Sequence, residues 1–322
     1  MTKFGYIKRL AEDTYKLQRR GGRGVSGMTR KEDDIATEMF ISGSHDYILF
    51  FTDKGRVYRL KCYEIPETSR QSKGMNIANL LPIATDEKVT SMIRVPEFDE
   101  DKYLIMVTKY GIIKRIELNA YNTARKGGLI ALDLNEGDEL AWVKMTDGNN
   151  DVIIATRLGM AIRFDENDVR PMGRQARGVK ALKLKENDYV IGMSVIDEDG
   201  YVLTVSSTGY GRLSLPTDYR TQSRGGKGLT NYHVEKYGEV ASLSVVSKDD
   251  DVIIISANGV IIRIKADSIR QCARPSKGVK VMRLGEGDKV VTLSTTEHDE
   301  EEVNGDVEDD GSAEDGAGDT SG

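Results

Sequence analysis

The run at 18–24, Gln18-Arg19-Arg20-Gly21-Gly22-Arg23-Gly24, holds three guanidinium groups and three glycines in seven residues, with no apolar side chain to anchor it. Arginine forks match phosphate oxygens two at a time, and glycine lets backbone N–H groups approach an anion closely. Phosphate binding is the chemistry this composition suits. Five weaker versions follow at 69–74, 124–128, 173–178, 222–228 and 273–278. They bring Arg70 and Lys73, then Arg125 and Lys126, then Arg174, Arg177 and the nearby Lys180. The last two bring Arg224 and Lys227, and Arg274 and Lys277.

Other chemistries find little support. Gly22-Arg23-Gly24-Val25-Ser26-Gly27 satisfies the dinucleotide fingerprint G-x-G-x-x-G, but that pattern means something only between a strand and a helix of a βαβ unit. His45, His233 and His298 are far apart in sequence, and acidic turns such as Asp197-Glu198-Asp199-Gly200 lack a calcium loop's closing glutamate. We therefore expect no catalytic residue, no metal site and no cofactor. Cys62 and Cys272 form no disulfide framework, and no apolar run reaches the ~18 residues of a membrane helix. A cytoplasmic protein without a membrane partner is the expectation.

The net charge of -6 conceals an uneven distribution. Residues 297–322 hold 12 acidic residues and no lysine or arginine, so 1–296 carries 46 basic against 40 acidic residues. The tail is too poor in large apolar residues to fold and is expected to be disordered.

The elements that must position the basic turns recur. Apolar runs joined by a glycine turn occupy 47–60, 103–116, 151–164, 201–214 and 251–264, and a truncated copy opens the chain at 4–10. Their glycines are Gly5, Gly55, Gly111, Gly159, Gly209 and Gly259, separated by 50, 56, 48, 50 and 50 residues. Strand formers flanking a short glycine turn predict hairpins. Each basic turn ends in a second glycine 19 residues later, except Gly128, which follows Gly111 by 17. A short apolar alternation, an acidic turn (136–138, 186–188, 286–288) and a last apolar stretch complete the unit. Four short strands per ~50 residues, with no amphipathic helix, predict an all-β, propeller-like fold of six blades over 1–296.

Basic residues also recur on the hairpins. Arg9, Arg59, Arg115, Arg163 and Arg263 lie four residues after the hairpin glycine, and Lys8, Lys114 and Arg212 lie three after it. Equivalent positions in successive blades trace a ring, so these charges are expected to form a belt. A duplex following a disc of ~25 Å radius through half a turn would cover about 32 bp, and bending it would cost on the order of 13 kcal/mol. One turn cannot offset that, whereas contacts from several blades at ~1 kcal/mol or more each can. No recognition helix is evident, so binding should be independent of base sequence.

The seven-residue run resembles the box of the DNA gyrase A C-terminal domain family, and the six repeats resemble that family's blades. The resemblance covers about 1–296. It implies a six-bladed β-pinwheel, in which neighbouring blades exchange a strand and double-stranded DNA wraps the basic rim in a positive sense. Gln18, Arg19, Arg20, Gly21, Gly22, Arg23 and Gly24 match the box one by one, on the first blade beside its junction with the last. The partners implied are the rest of the gyrase A polypeptide and the gyrase B polypeptide in an A2B2 complex, with the domain itself a non-catalytic monomer. ATP and magnesium would act elsewhere, in ATP-dependent negative supercoiling. The paralogous topoisomerase IV domain, with a degraded box, and a propeller serving protein–protein interaction are the rival readings.

Overall fold

The computed structural model describes residues 1–2, 4–10, 38, 40–69, 72–123, 125 and 128–296. The described chain begins with β1 (Tyr6–Ile7). The next repeat supplies β2 (Tyr47–Thr52), β3 (Arg56–Lys61), β4 (Met75–Asn76) and β5 (Val89–Val95). Then come β6 (Tyr103–Thr108), β7 (Ile112–Glu117), β8 (Leu129–Ile130) and β9 (Leu140–Thr146). They are followed by β10 (Asp151–Thr156), β11 (Met160–Asp165), β12 (Val179–Lys180) and β13 (Val190–Val195). Next are β14 (Tyr201–Ser206), β15 (Tyr210–Ser214), β16 (Leu229–Thr230) and β17 (Val240–Val246). The last are β18 (Asp251–Ser256), β19 (Ile261–Lys265), β20 (Val279–Lys280) and β21 (Val290–Thr296). The one α-helix among the described residues is the four-residue Val234–Tyr237.

The hairpins form as their sequences predict. Gly55 stands at φ +70, its N–H bonds Thr52 O, and Phe51 faces Val57 across the turn. This three-residue connection ends in a left-handed residue, a conformation that suits glycine. The hairpin strands read as continuous apolar runs because both faces are covered. Val152 and Ile154 of β10 pack against Ile105 and Val107 of the preceding blade, whereas Ile153 and Ala155 pack against Val202 and Leu243. Burying each such side chain is worth roughly 1.5–3 kcal/mol.

Sheet order explains where the basic turns go. Four sheets have four strands, in the orders β5-β2-β3-β8, β9-β6-β7-β12, β13-β10-β11-β16 and β17-β14-β15-β20. The last strand of each comes from the following repeat, so adjacent blades exchange a strand. β5, β9, β13, β17 and β21 touch one another in succession and form the inner side, which leaves the exchanged strand outermost. Among the described residues, β21-β18-β19 is a three-stranded sheet and β1 pairs with β4 in a sheet of two. Among the described residues the fold is thus all-β and propeller-like, with five sheets of three or four strands and one of two.

Candidate nucleic-acid interface

The basic turns of the fourth, fifth and sixth repeats are arches on the outer edge, each stitched at both ends to the preceding blade. In the fourth repeat, Met172 N–H bonds Arg115 O at one end and Ala181 N–H bonds Gly111 O at the other. Gln222 N–H to Arg163 O and Asn231 N–H to Gly159 O repeat this in the fifth, and Cys272 N–H to Leu213 O and Val281 N–H to Gly209 O in the sixth. Residues between the stitches are held away from the core.

The second glycine ends the arch for a steric reason rather than to admit an anion. Gly278 has φ +83, and a Cβ there would stand 2.1 Å from Gly211 O of the neighbouring blade. Gly178 repeats this, at φ +89 and 2.5 Å from Ile113 O. Gly278→Ala should therefore cost about 3 kcal/mol, combining left-handed strain with a backbone clash. Urea unfolding checks this, and a loss under ~1 kcal/mol would contradict it.

The structure sorts the expected phosphate contacts into groups. Gln18 to Gly24, Arg70 and Lys126 lie outside the described residues, as does the acidic tail 297–322. Arg125, Arg174, Arg177, Lys180 and Lys227 are exposed on the arches. Arg177 shares its charge with Asp133 at 2.9 Å. Arg125 and Arg174 flank an open groove of about 580 Å³ between two successive arches. Lys73 and Lys277 are half-buried, with ammonium groups 3.6 Å from the Tyr6 ring centre and 3.8 Å from that of Tyr210. A hydrogen bond from Lys277, aided by the charge of Lys280, draws the Tyr210 phenol below its usual range. These tyrosines, one residue after a hairpin glycine, lie against two of the candidate lysines, a placement that the turns alone did not reveal.

Two of the expected strand contacts are corrected. Arg115 and Arg163 are buried and ion-paired, so neither belongs to a solvent-facing belt. Arg115 pairs with Glu166 at 3.3 Å, donates to Asn167 Oδ1 at 2.8 Å and covers the Tyr103 ring at 4.0 Å. Arg163 reaches Asp151 at 2.6 Å and also pairs with Glu198. Arg263 is exposed but pairs with Asp251, and Arg59 is half-buried over Tyr47. For all four arginines a partner lies twelve residues earlier, diagonally across the hairpin. Tyrosine or aspartate at that position, opposite every one of them, was the available signal.

Of the residues three after the glycine, Lys114 and Arg212 are buried as well. Lys114 donates to Ala131 O and Arg174 O, both at 2.6 Å, and burial lowers its pKa to about 8. Arg212 donates to Asn231 O at 2.6 Å and Asn231 Oδ1 at 2.9 Å. These cations tie the arches down from beneath. Among the described residues, no helix is long and apolar enough to cross a membrane, and no cluster of His, Cys, Asp or Glu is placed to hold a metal.

Comparison with known proteins agrees with this geometry. A family model described as the DNA gyrase C-terminal domain, beta-propeller, matches residues 1–41, 46–96, 102–147, 150–197, 200–247 and 250–297. The A subunit of DNA gyrase from Clostridium acetobutylicum is 53% identical over 180 residues, which is 56% of this chain and 22% of that protein. Its counterpart from Halalkalibacterium halodurans is 55% identical over 180 residues, with the same coverage. The aligned region thus spans about a fifth of the length of these relatives. Among solved structures, a DNA topoisomerase IV C-terminal domain superposes with a TM-score of 0.78 at 27% identity, covering 92% of this chain and 91% of that one. A DNA gyrase A C-terminal domain gives 0.75 at 29% identity, covering 92% and 97%.

Proposed function

Because this chain belongs to the DNA gyrase C-terminal, β-propeller family, we propose that it binds duplex DNA along its outer edge and wraps it. The observation that carries this reading is the placement of the basic arches at equivalent positions on successive blades, each on the outermost strand. Phosphate contacts made by arches supply affinity without reading bases, since phosphates carry no sequence information. Contacts repeated around a curved edge favour a bent duplex over a straight one. The rim consists of Lys73, Arg125, Arg174, Arg177, Lys180, Lys227 and Lys277, joined by the box residues Gln18 to Gly24 and by Arg70 and Lys126.

The six matched segments support a disc of six blades, the first built around β1. The domain's own role is mechanical and non-catalytic. Within a gyrase of A2B2 composition in the cytoplasm, the wrap would present a second DNA segment for ATP-dependent strand passage and so direct negative supercoiling. The topoisomerase IV structure favours the same fold. The intact run at 18–24 and the gyrase relatives at 53% and 55% identity favour the gyrase reading.

A salt titration tests the binding reading. Six to ten neutralised phosphates predict a slope of log K against log [salt] of about -5 to -9, and a loss of roughly 10³–10⁵ in affinity between 50 and 200 mM. A slope shallower than about -2 would favour a protein-interaction propeller with incidental surface charge.

A further inference from the structure

Two of the expected phosphate-binding arginines are already occupied, and in the same way. Arg224 stands four residues before Gly228, and Arg274 four before Gly278. Arg224 Nε donates to Asp168 O at 2.8 Å and its Nη1 to Lys180 O at 3.2 Å. Arg274 Nε donates to Asp218 O at 2.7 Å and its Nη1 to Thr230 O at 2.5 Å. Asp168 and Asp218 are equivalent, each nine residues after a hairpin glycine and at the end of the 3-10 turn that follows the hairpin. Lys180 and Thr230 are equivalent too, each two residues after a turn glycine, on the exchanged strands β12 and β16.

Each guanidinium therefore spans two carbonyls of the preceding repeat, from a residue 56 and 44 positions further along the chain. Both side chains are half-buried, and Arg274 also lies over the Tyr219 ring at 5.4 Å. A planar fork with diverging N–H groups can bridge two fixed acceptors, which a single ammonium cannot reproduce. Within the same arches, Lys227 is exposed and Lys277 lies against Tyr210 on the outer edge.

The geometry points to a division of labour inside the basic arch. Arg224 and Arg274 are positioning residues that bolt each arch to the preceding repeat, and Lys227 and Lys277 meet the phosphates from the platform so fixed. This rests on the DNA-binding reading for its consequence but not for its structural content. An arch held at a set height lets successive lysines share one curved backbone, so the bolts govern wrapping more than local contact.

The test compares Arg224→Ala/Arg274→Ala, Arg224→Lys/Arg274→Lys and Lys227→Ala/Lys277→Ala in the full chain. Three readouts serve: the salt slope on a 12-bp duplex, end-to-end energy transfer on a ~100-bp duplex, and amide exchange across 222–228 and 272–278. The lysine-to-alanine pair should lower the slope by about two and leave exchange unchanged. Both arginine pairs should leave the slope within about 0.3, speed exchange at least tenfold and reduce wrapping at least tenfold. A slope reduced by about two in the alanine pair, with wrapping restored by the lysine pair, would overturn the proposal and make the arginines phosphate contacts. Unchanged exchange in both arginine pairs would overturn it as well, whether or not DNA binds. Absence of salt-dependent binding by the wild type, with exchange faster in the arginine pairs, would instead refute the DNA reading and leave the bolt standing. Should the double alanine variant not fold, Arg224→Ala alone decides on the same three readouts.

Discussion

Arg115→Ala is expected to destabilise the fold by about 3–5 kcal/mol while leaving the salt slope of duplex binding unchanged. The Arg115 and Glu166 side chains are 5% and 0% exposed, and no other ion pair to Glu166 is found among the described residues. Glu166 also accepts from Thr146 Oγ1 at 2.6 Å and Asn150 N–H at 2.9 Å, so it cannot turn out to water without breaking the start of its blade. Truncating the arginine leaves a carboxylate buried without a counter-charge, and it uncovers the Tyr103 ring. A loss of that size is a large share of a typical domain's 5–15 kcal/mol. Urea denaturation measures it as a lower midpoint at constant m-value. Adding Glu166→Gln to the same chain should recover part of the loss by removing the stranded charge. A loss below ~1 kcal/mol, together with a salt slope reduced by about one, would return Arg115 to the rim.

Replacing Arg19, Arg20 and Arg23 together by glutamine is expected to abolish wrapping and leave part of the DNA affinity. Affinity sums over many arches, so losing three charges of one arch weakens it without eliminating it. Wrapping must offset a bending cost on the order of 13 kcal/mol, which requires arches held on one continuous surface. The run at 18–24 belongs to the first repeat, whose preceding blade in a closed disc is the β18, β19 and β21 sheet. Among the described residues that sheet has three strands where the sheet before it has four, and Val260 beside its outer strand is 49% exposed. By the family resemblance, the run is expected beside this outer strand, at the join of the proposed disc. Energy transfer between the ends of a ~100-bp duplex should fall to the free-DNA value, while affinity at 50 mM salt drops by less than a hundredfold. Parallel loss of both would reduce the run to an ordinary contact.

Much of the architecture was legible because it is periodic. The hairpin glycines at ~50-residue spacing located every hairpin, since each glycine occupies a left-handed turn position. The acidic turns were legible for a related reason. Asp138, Asp188 and Asp288 accept hairpin-turn N–H groups of Tyr110, Leu158 and Asn258, and the residue before each is left-handed. The destination of the short strand after each basic turn is different. Pairings such as Arg56 with Ile130 and Val57 with Leu129 join residues more than 70 apart, and no local pattern encodes them.

The site is legible only in part, because a pattern of charge along the chain does not report what lies across the strand. Arginines four residues after the hairpin glycine recur, but so do their partners Tyr47, Tyr103, Asp151 and Asp251 twelve residues earlier. Repetition there reports a repeated cross-strand pair, and at Arg115 and Arg163 the pair is buried. In the arches the periodicity carried two roles at once. The residue before the glycine is held toward the edge, as Lys277 is over Tyr210. In the fifth and sixth repeats the arginine three residues earlier, Arg224 or Arg274, is held inward by carbonyls of the preceding repeat. Only coordinates separate these, since both positions read as basic in sequence.

The rim is proposed to bend duplex DNA into a wrap of fixed sense. Ligation of a nicked circular DNA bearing this protein tests it most directly, because the sealed circle preserves the linking change imposed by the bound domain. A wrap of positive sense predicts topoisomers displaced toward positive linking difference, increasing with bound protein up to saturation. An unshifted distribution on circles shown to be saturated with protein would contradict it.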